Sequence, residues 1–399
     1  MIHAYSKTES KLSTVVIAFD AGSRTESSMD FNPGIAHMLE HCIFKGTNKR
    51  TAFEIQREIG FLGGSVNAFT SHEIVAYHVT VPYENLDVAM EIMSNIVFDS
   101  VFPEDEFLKE REVVKEEEIS RLDNHYSYIW NKFSDKFFDN YIGTPVIGTQ
   151  ETISKFTRDE VDAFHKEYCK KRDAVVSLCS NLSEEKANLL MEKHFGKENG
   201  KVSRRFNYAD SSYSSSEVAE INRPGLEHTY VWIGTPGVNR GSDHIPATRL
   251  LMSVLGGGMD SRLFTEVREK RGLVYGISSS LNEWERGSLS LISGSTRGEN
   301  VDEMLSVISD EVEKIKTTRI SDEELQRAKN KMRASSYGLI ESASGMAQYR
   351  MREKLIGLPS IESYMASLSL VTPESIMEAA NIVFDNDKKL TMICKSKSE

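Results

Sequence analysis

The segment that most constrains this chain is His37-Met38-Leu39-Glu40-His41, which sets two histidines four residues apart. On an α-helix these histidines lie on one face, and Glu40 falls between them in angle. Two imidazoles on one face can hold zinc if a third ligand comes from elsewhere and a fourth position stays open for water. Glu40 would then stand beside the metal as a proton acceptor. The segment predicts a catalytic zinc site, and the alternative is a helix whose histidines only fill a core.

The flanks of this segment carry a family resemblance. Pro33-Gly34-Ile35-Ala36 precedes it and Phe44-Lys45-Gly46-Thr47 follows it. With its His-x-x-Glu-His order, which is that of the inverzincins, the whole stretch resembles the zinc helix of the M16 metallopeptidases. This is the family of mitochondrial processing peptidase, pitrilysin and insulin-degrading enzyme, and the chain length is similar to that of its M16B branch. The resemblance implies a zinc endopeptidase with one zinc ion per chain and Glu40 as general base and acid.

A helix predicted from Pro103 to Asp123 offers the third ligand. Most acids on such a helix belong to a solvated face. Glu110 and Glu117 lie seven residues apart and hence on one face, as do two glutamates of the M16 family. The resemblance implies that Glu117 binds zinc and that Glu110 supports the ligands from outside. Glu117 follows His41 by 117 − 41 = 76 positions, which matches the family spacing. Glu118 stays open as the alternative ligand.

Two strands joined by a tight turn are predicted at Ser65–Thr70 and Ile74–Val81. By composition they are a hairpin of the core sheet. The M16 resemblance adds that the first strand is a sheet edge that pairs with an extended peptide. Such pairing gives affinity through backbone hydrogen bonds and demands little of the peptide sequence. Asn67 and Ala68 are therefore expected to line the substrate cleft.

A second block that resembles the M16 family runs from Leu255 to Tyr275. In that family it carries an arginine and a tyrosine seven residues apart that bind the substrate backbone and help to stabilise the oxyanion, a place filled here by Arg268 and Tyr275. A guanidinium and a phenol are suitable donors for such a charge. The alternative is a surface ion pair for Arg268 and a strand-face position for Tyr275.

The chain shows signs of an internal duplication. Phe53–Glu58 matches Phe264–Glu269 at an offset of 264 − 53 = 211, and the same offset places Thr248, Leu251 and Met252 at the positions of His37, Glu40 and His41. We expect an α+β protein of two homologous α/β domains, each a mainly antiparallel sheet packed with helices. A shift to Lys, Asn, Gly and Ser predicts a linker at 201–216, between a zinc-binding domain at 1–200 and a domain without metal at 217–399.

Composition and charge limit the classes of binding partner that this chain is expected to have. The net charge of −12 argues against nucleic acid and anionic membranes. No apolar run approaches the roughly 18 residues of a membrane span. Four cysteines without paired spacing favour reduced thiols and a cytoplasmic location.

Family members of this length face each other in pairs around a closed chamber. The resemblance thus implies a homodimer in which Arg268 and Tyr275 reach the partner's zinc site, with peptides as substrates. Two alternatives remain: a non-catalytic M16 subunit with an assembly role, and half of a heterodimer. The first is disfavoured because no zinc-site residue is lost, and the second because both halves of the site are present in this chain.

Overall fold

The computed structural model describes residues 1–200, 208–214 and 216–396. Its first sheet has the strand order β1-β5-β2-β4-β3. β1 and β5 are parallel, and the other neighbours are antiparallel. The strands are β1 (Ile2–Lys7), β2 (Leu12–Phe19), β3 (Ser65–Thr70), β4 (Val75–Pro82) and β5 (Val175–Ser180). β3 therefore lies at one end of the sheet, as the sequence predicts.

Four of the eight helices that accompany this sheet begin with a threonine or serine cap. Thr51 and Thr157 each form a reciprocal capping box with a glutamate three residues later, which satisfies the first backbone N–H groups of the helix. The helices are α1 (Ile35–Cys42), α2 (Ala52–Phe61), α3 (Leu86–Phe98), α4 (Glu104–Asp123), α5 (His125–Phe137), α6 (Gln150–Lys155), α7 (Arg158–Tyr168) and α8 (Glu184–Phe195).

The second sheet repeats the first strand for strand. Its order is β6-β10-β7-β9-β8, again with one parallel pair, β6 with β10, at the outer end. The strands are β6 (Glu217–Asn222), β7 (Thr229–Thr235), β8 (Val274–Trp284), β9 (Gly287–Thr296) and β10 (Leu390–Lys395). The prediction of two homologous, mainly antiparallel α+β domains is confirmed.

The helices of the second half follow the same succession. A π-helical segment, Phe264–Glu269, stands where the first half has α2. Ser321 and Glu324 form a capping box before the longest helix of this half. The helices are α9 (Ile245–Gly256), α10 (Val301–Thr317), α11 (Asp322–Glu341), α12 (Ala343–Ile356), α13 (Ile361–Leu370) and α14 (Pro373–Phe384).

The contacts divide the chain into two units that exchange segments. The first contains 1–131, 144–207 and 337–360, and the second contains 132–143, 208–336 and 361–399. The expected continuous domains, 1–200 and 217–399, therefore need a correction at α12. This helix carries Ala343, Ala347, Met351 and Leu355 on one face, and the face is buried in a cluster with residues of β2, β4 and β5. Part of the predicted linker, 201–207 and 215, lies outside the described residues.

Among the helices of the described residues, none is both long enough and apolar enough to cross a membrane.

Candidate metal centre

The two histidines are held by the burial of the rest of α1. Ile35, Ala36, Met38 and Leu39 are almost completely buried in the core of the first unit. Their burial fixes the rotation of the helix and leaves its remaining face to His37 and His41. The two imidazole ring centres are 4.8 Å apart. Local apolar packing thus presents both rings side by side.

The entry into α1 depends on a glycine. Gly34 has a φ of +100°, which side chains other than glycine rarely tolerate, and an added Cβ would lie 2.5 Å from the carbonyl oxygen of Ile147. The chain must approach this closely for α1 to begin where it does.

A buried carboxylate completes the first turn of α1. The two Glu26 oxygens accept hydrogen bonds from the backbone N–H groups of Gly34 and Ala36, each at 3.0 Å. Burial raises the pKa of Glu26 to about 8, although the two backbone hydrogen bonds lower it. Sequence reasoning missed Glu26, since it lies in the 3₁₀ segment Ser23–Met29, outside the motif.

Glu117 on α4 brings a third ligand atom, a carboxylate oxygen, to the two histidines. Its Oε2 lies 3.3 Å from Nε2 of His41 and 3.9 Å from Nε2 of His37. One ligand atom from each of the three residues lies within 4.8 Å of the others. Ligands of a tetrahedral zinc ion at 2.0–2.1 Å are separated by roughly 3.3 Å. The donor set of two imidazoles and one carboxylate therefore fits zinc in chemistry, and the pair of His41 and Glu117 has the spacing of a zinc site.

Glu118 points to a different environment. Its Oε2 accepts a hydrogen bond from Nε2 of Gln150 at 2.7 Å, and its side chain is buried. The structure thus brings Glu117, and not Glu118, to the two histidines.

Glu110 lies behind His41. Its Oε2 is 3.3 Å from Nδ1 of His41, and its Oε1 is 2.6 Å from Nζ of Lys45. Because a carboxylate only accepts, Nδ1 is the donor, which leaves Nε2 free to face Glu117. Burial raises the pKa of Glu110, but the hydrogen bonds from His41 and Lys45 outweigh it and hold the pKa below its usual range. Sequence reasoning predicted this position for Glu110 but missed Lys45.

The pKa values of the two histidines are shifted in opposite directions. Burial, followed by the charge of His41, lowers the pKa of His37 to about 4. Burial also lowers the pKa of His41, but its hydrogen bonds to Glu110 and Glu117 outweigh this and raise the pKa to about 9. Nδ1 of His37 is buried and has no hydrogen-bond partner among the described residues. His41 lies between the carboxylates of Glu110 and Glu117, and a cation is electrostatically favoured there.

Glu40 is oriented by a residue that the sequence did not single out. Oγ1 of Thr70, at the end of β3, donates a hydrogen bond of 2.5 Å to Oε2 of Glu40. Burial raises the pKa of Glu40, while the Thr70 hydrogen bond lowers it. A partly desolvated carboxylate with a raised pKa is a suitable proton acceptor.

Asn67 and Ala68 lie on the predicted edge strand, β3. Asn67 is exposed, and its Oδ1 accepts a hydrogen bond from the backbone N–H of Ala68 at 2.8 Å. β3 pairs with β4 on one side and has no strand partner on the other side among the described residues. The backbone there is available to an added strand.

Arg268 and Tyr275 lie together in the second unit. The guanidinium carbon of Arg268 is 5.1 Å from the ring centre of Tyr275 and 4.6 Å from that of Phe264. Tyr275 is 86% exposed, so it does not fill the face of a strand. The register of β8 against β9 shifts between Val274 and Ile277, and such an irregularity re-aims side chains. Arg268 also has a weak ion pair of 3.8 Å with its neighbour Glu269.

In the second unit, α9 presents different residues. Thr248, Leu251 and Met252 are buried, and the hydroxyl of Thr248 donates to the carbonyl oxygen of His244 within the helix. Among the described residues, His37, His41 and Glu117 form the one group of three possible metal ligands.

Comparisons with known proteins agree across the chain. Residues 2–150 match the family model for insulinase (peptidase family M16), and residues 155–332 match that for the peptidase M16 inactive domain. A Rickettsia felis protein described as an uncharacterized zinc protease is 32% identical over 90% of this chain and 83% of its own length. The uncharacterized zinc protease YmxG of Bacillus subtilis is 30% identical over 94% of this chain and 91% of its own.

Two solved structures share the fold. A protease from Helicobacter pylori superimposes with a TM-score of 0.88 at 24% identity, over 98% of this chain and 96% of its own. A peptidase M16 inactive domain from Pseudomonas fluorescens does so with a TM-score of 0.87 at 19% identity, over 99% and 95%.

Proposed function

Since this chain belongs to peptidase family M16, we propose that it is a zinc-dependent endopeptidase whose metal is held by His37, His41 and Glu117. The observation that carries this proposal is the convergence of their three ligand atoms within 4.8 Å, with Glu40 on the same helix. The description of its relatives as zinc proteases supports the choice of metal and of reaction.

The side chains of this unit have separate tasks in peptide hydrolysis. Zinc at this site would lower the pKa of coordinated water and polarise the scissile carbonyl. Glu40 accepts one proton from the attacking water while the oxygen of that water bonds to the carbonyl carbon. Glu40 then passes the proton to the amide nitrogen as the C–N bond breaks. Glu110, itself paired with Lys45, keeps His41 in the tautomer that directs Nε2 towards the metal.

The unpaired side of β3 is the proposed place for the peptide. An extended segment that adds to this edge is held by its backbone, with the exposed Asn67 and the backbone of Ala68 beside it. Recognition of this kind favours peptides and unfolded segments over folded proteins, because only an extended chain can offer its backbone groups.

The proposal extends to the assembly. The exposure of Tyr275 and its contact with Arg268 support a pair of donors that acts on a second molecule. We place this pair at the zinc site of a partner chain in a homodimer, where a guanidinium and a phenol stabilise the oxyanion.

The metal and the base are tested together with four proteins. Wild type, Glu40→Gln, Glu117→Gln and Glu118→Gln are compared for bound zinc and for hydrolysis of a quenched fluorescent peptide library. We expect about one zinc per chain in wild type, Glu40→Gln and Glu118→Gln, and cleavage by wild type and Glu118→Gln alone. Glu118→Gln is the matched control, because it removes the neighbouring charge on α4. Full zinc without cleavage in wild type would favour a non-catalytic subunit.

The assembly is tested by mixing two inactive variants, Glu40→Gln and Arg268→Ala, after confirming a dimer by gel filtration. If Arg268 acts on the partner chain, half of the mixed population is heterodimeric and has one intact site of two, so about a quarter of the wild-type activity returns. If Arg268 acts within its own chain, mixing restores nothing. A chain that is monomeric and inactive alone would contradict the homodimer.

A further inference from the structure

The hydroxyl of Thr70 is placed by the register of β3. Side chains alternate between the two faces of a strand, so Val66, Ala68 and Thr70 share one face. Val66 and Ala68 pack against the core cluster that contains the buried residues of α1. This register brings Oγ1 of Thr70 to within 2.5 Å of Oε2 of Glu40.

This contact is the one hydrogen bond made by the Glu40 side chain among the described residues. A glutamate side chain has several rotatable bonds, and fixing it costs conformational entropy. With Oε2 held by Thr70, the second oxygen, Oε1, has no donor in the described part of the chain and can accept a proton.

We propose that Thr70 is a positioning residue, whose hydroxyl fixes one oxygen of Glu40 so that the other faces the attacking water. The inference rests on the proposed function, because it assumes that Glu40 is the base. β3 then has two roles in one element: its free edge binds the peptide backbone, and its last side chain aligns the group that cleaves that backbone.

The same sheet offers a matched control for a purely structural role of a threonine hydroxyl. Thr80 on β4 forms a 2.8 Å hydrogen bond with Thr14 on β2, and it makes no hydrogen bond with Glu40. Thr80→Val and Thr70→Val remove the same group from the same sheet and keep the branched shape. A role in fold stability alone predicts similar effects on activity for both variants.

The experiment measures kcat, KM and bound zinc for wild type, Thr70→Val, Thr70→Ser and Thr80→Val. We expect Thr70→Val to lower kcat about 10- to 100-fold, since hydrogen bonds to charged groups have effects of this size. Its KM and zinc content should stay near those of wild type. Thr70→Ser restores the hydroxyl and should recover kcat to within about threefold, and Thr80→Val should keep the wild-type kcat.

A double variant separates this inference from the proposed function. If Thr70 acts through Glu40, adding Thr70→Val to Glu40→Gln does not lower the residual cleavage rate that prolonged incubation of Glu40→Gln detects. A kcat of Thr70→Val within twofold of wild type, or an equal loss in Thr80→Val, would overturn the inference while Glu40→Gln stays inactive. Glu40→Gln with wild-type activity would instead overturn the proposed function and the inference with it. If Thr70→Val does not fold, Thr70→Ala serves in its place.

Discussion

The two sheets have the same strand order, yet the helices that follow their second strands differ in what they bury. α1 turns His37, Glu40 and His41 to one face, whereas α9 has Thr248, Leu251 and Met252 at the matching positions. α9 packs against β8, α13 and α14, and its side chains are largely enclosed. In one copy of the fold this helix presents possible metal ligands and a base, and in the other copy the same positions belong to the core.

The longest helix of each copy shows the same contrast. α4 and α11 both have 20 residues, and alignment of their first residues gives an offset of 322 − 104 = 218. Glu110 and Glu117 then correspond to Ala328 and Ser335. The carboxylates are absent where the histidines are absent, so the whole ligand set belongs to the first copy. The comparison teaches that the topology is independent of the metal site.

The largest effect is expected from removing a ligand. His41→Ala takes away one imidazole and the hydrogen-bonded partner of both Glu110 and Glu117. We expect loss of bound zinc and a fall in peptide hydrolysis of at least about 10³-fold. Thr248→Ala, at the place in the second unit that corresponds to the other histidine, His37, should retain both. Zinc analysis and activity are measured on both variants, and zinc retained by His41→Ala would contradict the ligand set.

A reciprocal exchange tests whether α9 could have been a catalytic helix. Leu251→Glu forces a carboxylate into a completely buried position and should destabilise the second unit by about 3–5 kcal/mol. This corresponds to a decrease in Tm of roughly 10 °C. Glu40→Leu, its counterpart in the first unit, should remain folded and inactive. The Tm of both variants and of wild type is measured by thermal unfolding. A Leu251→Glu variant as stable as wild type would show that this face of α9 is accessible to water.

Features that depend on residues close in sequence could be predicted, whereas contacts between distant segments could not. The face of α1 and the strands β3 and β4 depend on local spacing, and all could be predicted. The choice between Glu117 and Glu118 could not be made from spacing, because the two are adjacent in sequence. It depends on the hydrogen bond that Gln150, on a separate helix, donates to Glu118.

The contacts that sequence reasoning missed are set by tertiary packing. Thr70 meets Glu40, and Glu26 meets the start of α1, because distant segments fold against each other. The apolar face of α12 predicts burial, but the pattern does not say against which sheet.

A smaller effect concerns Glu26, which supports only α1. Burial gives this carboxyl a pKa of about 8 in the folded chain, above its ordinary value of 4.5. A raised folded-state pKa means that the contribution of Glu26 to stability is complete below pH 4.5 and is lost as the pH rises through 8. We therefore expect the stability difference between wild type and Glu26→Gln to shrink between pH 5.5 and pH 8.5. Urea unfolding at both pH values tests this, and a difference that widens would contradict it.

Glu324 in the second unit should show the opposite sign. Burial raises its pKa, but hydrogen bonds from Arg262 and from the backbone N–H of Ser321 outweigh it and lower the pKa to about 2. Its contribution to stability is thus present above pH 4.5 and is lost as the pH falls towards 2.

The stability difference between wild type and Glu324→Gln should accordingly shrink from pH 5 to pH 3. Glu323→Gln is the matched control, since Glu323 is exposed and makes only a surface ion pair of 3.3 Å with Arg327. The effect of Glu324→Gln should be smaller than those of the three substitutions discussed above, because Glu324 and Arg262 both remain in part accessible to water. An equal pH dependence in Glu323→Gln and Glu324→Gln would show that the capping carboxylate of α11 has no special role. If Glu323→Gln shows no such dependence, the stabilising effect of Glu324 increases with pH. The stabilising effect of Glu26 in the first unit decreases with pH, so the two copies of the fold would contain buried carboxyl groups with opposite pH dependence.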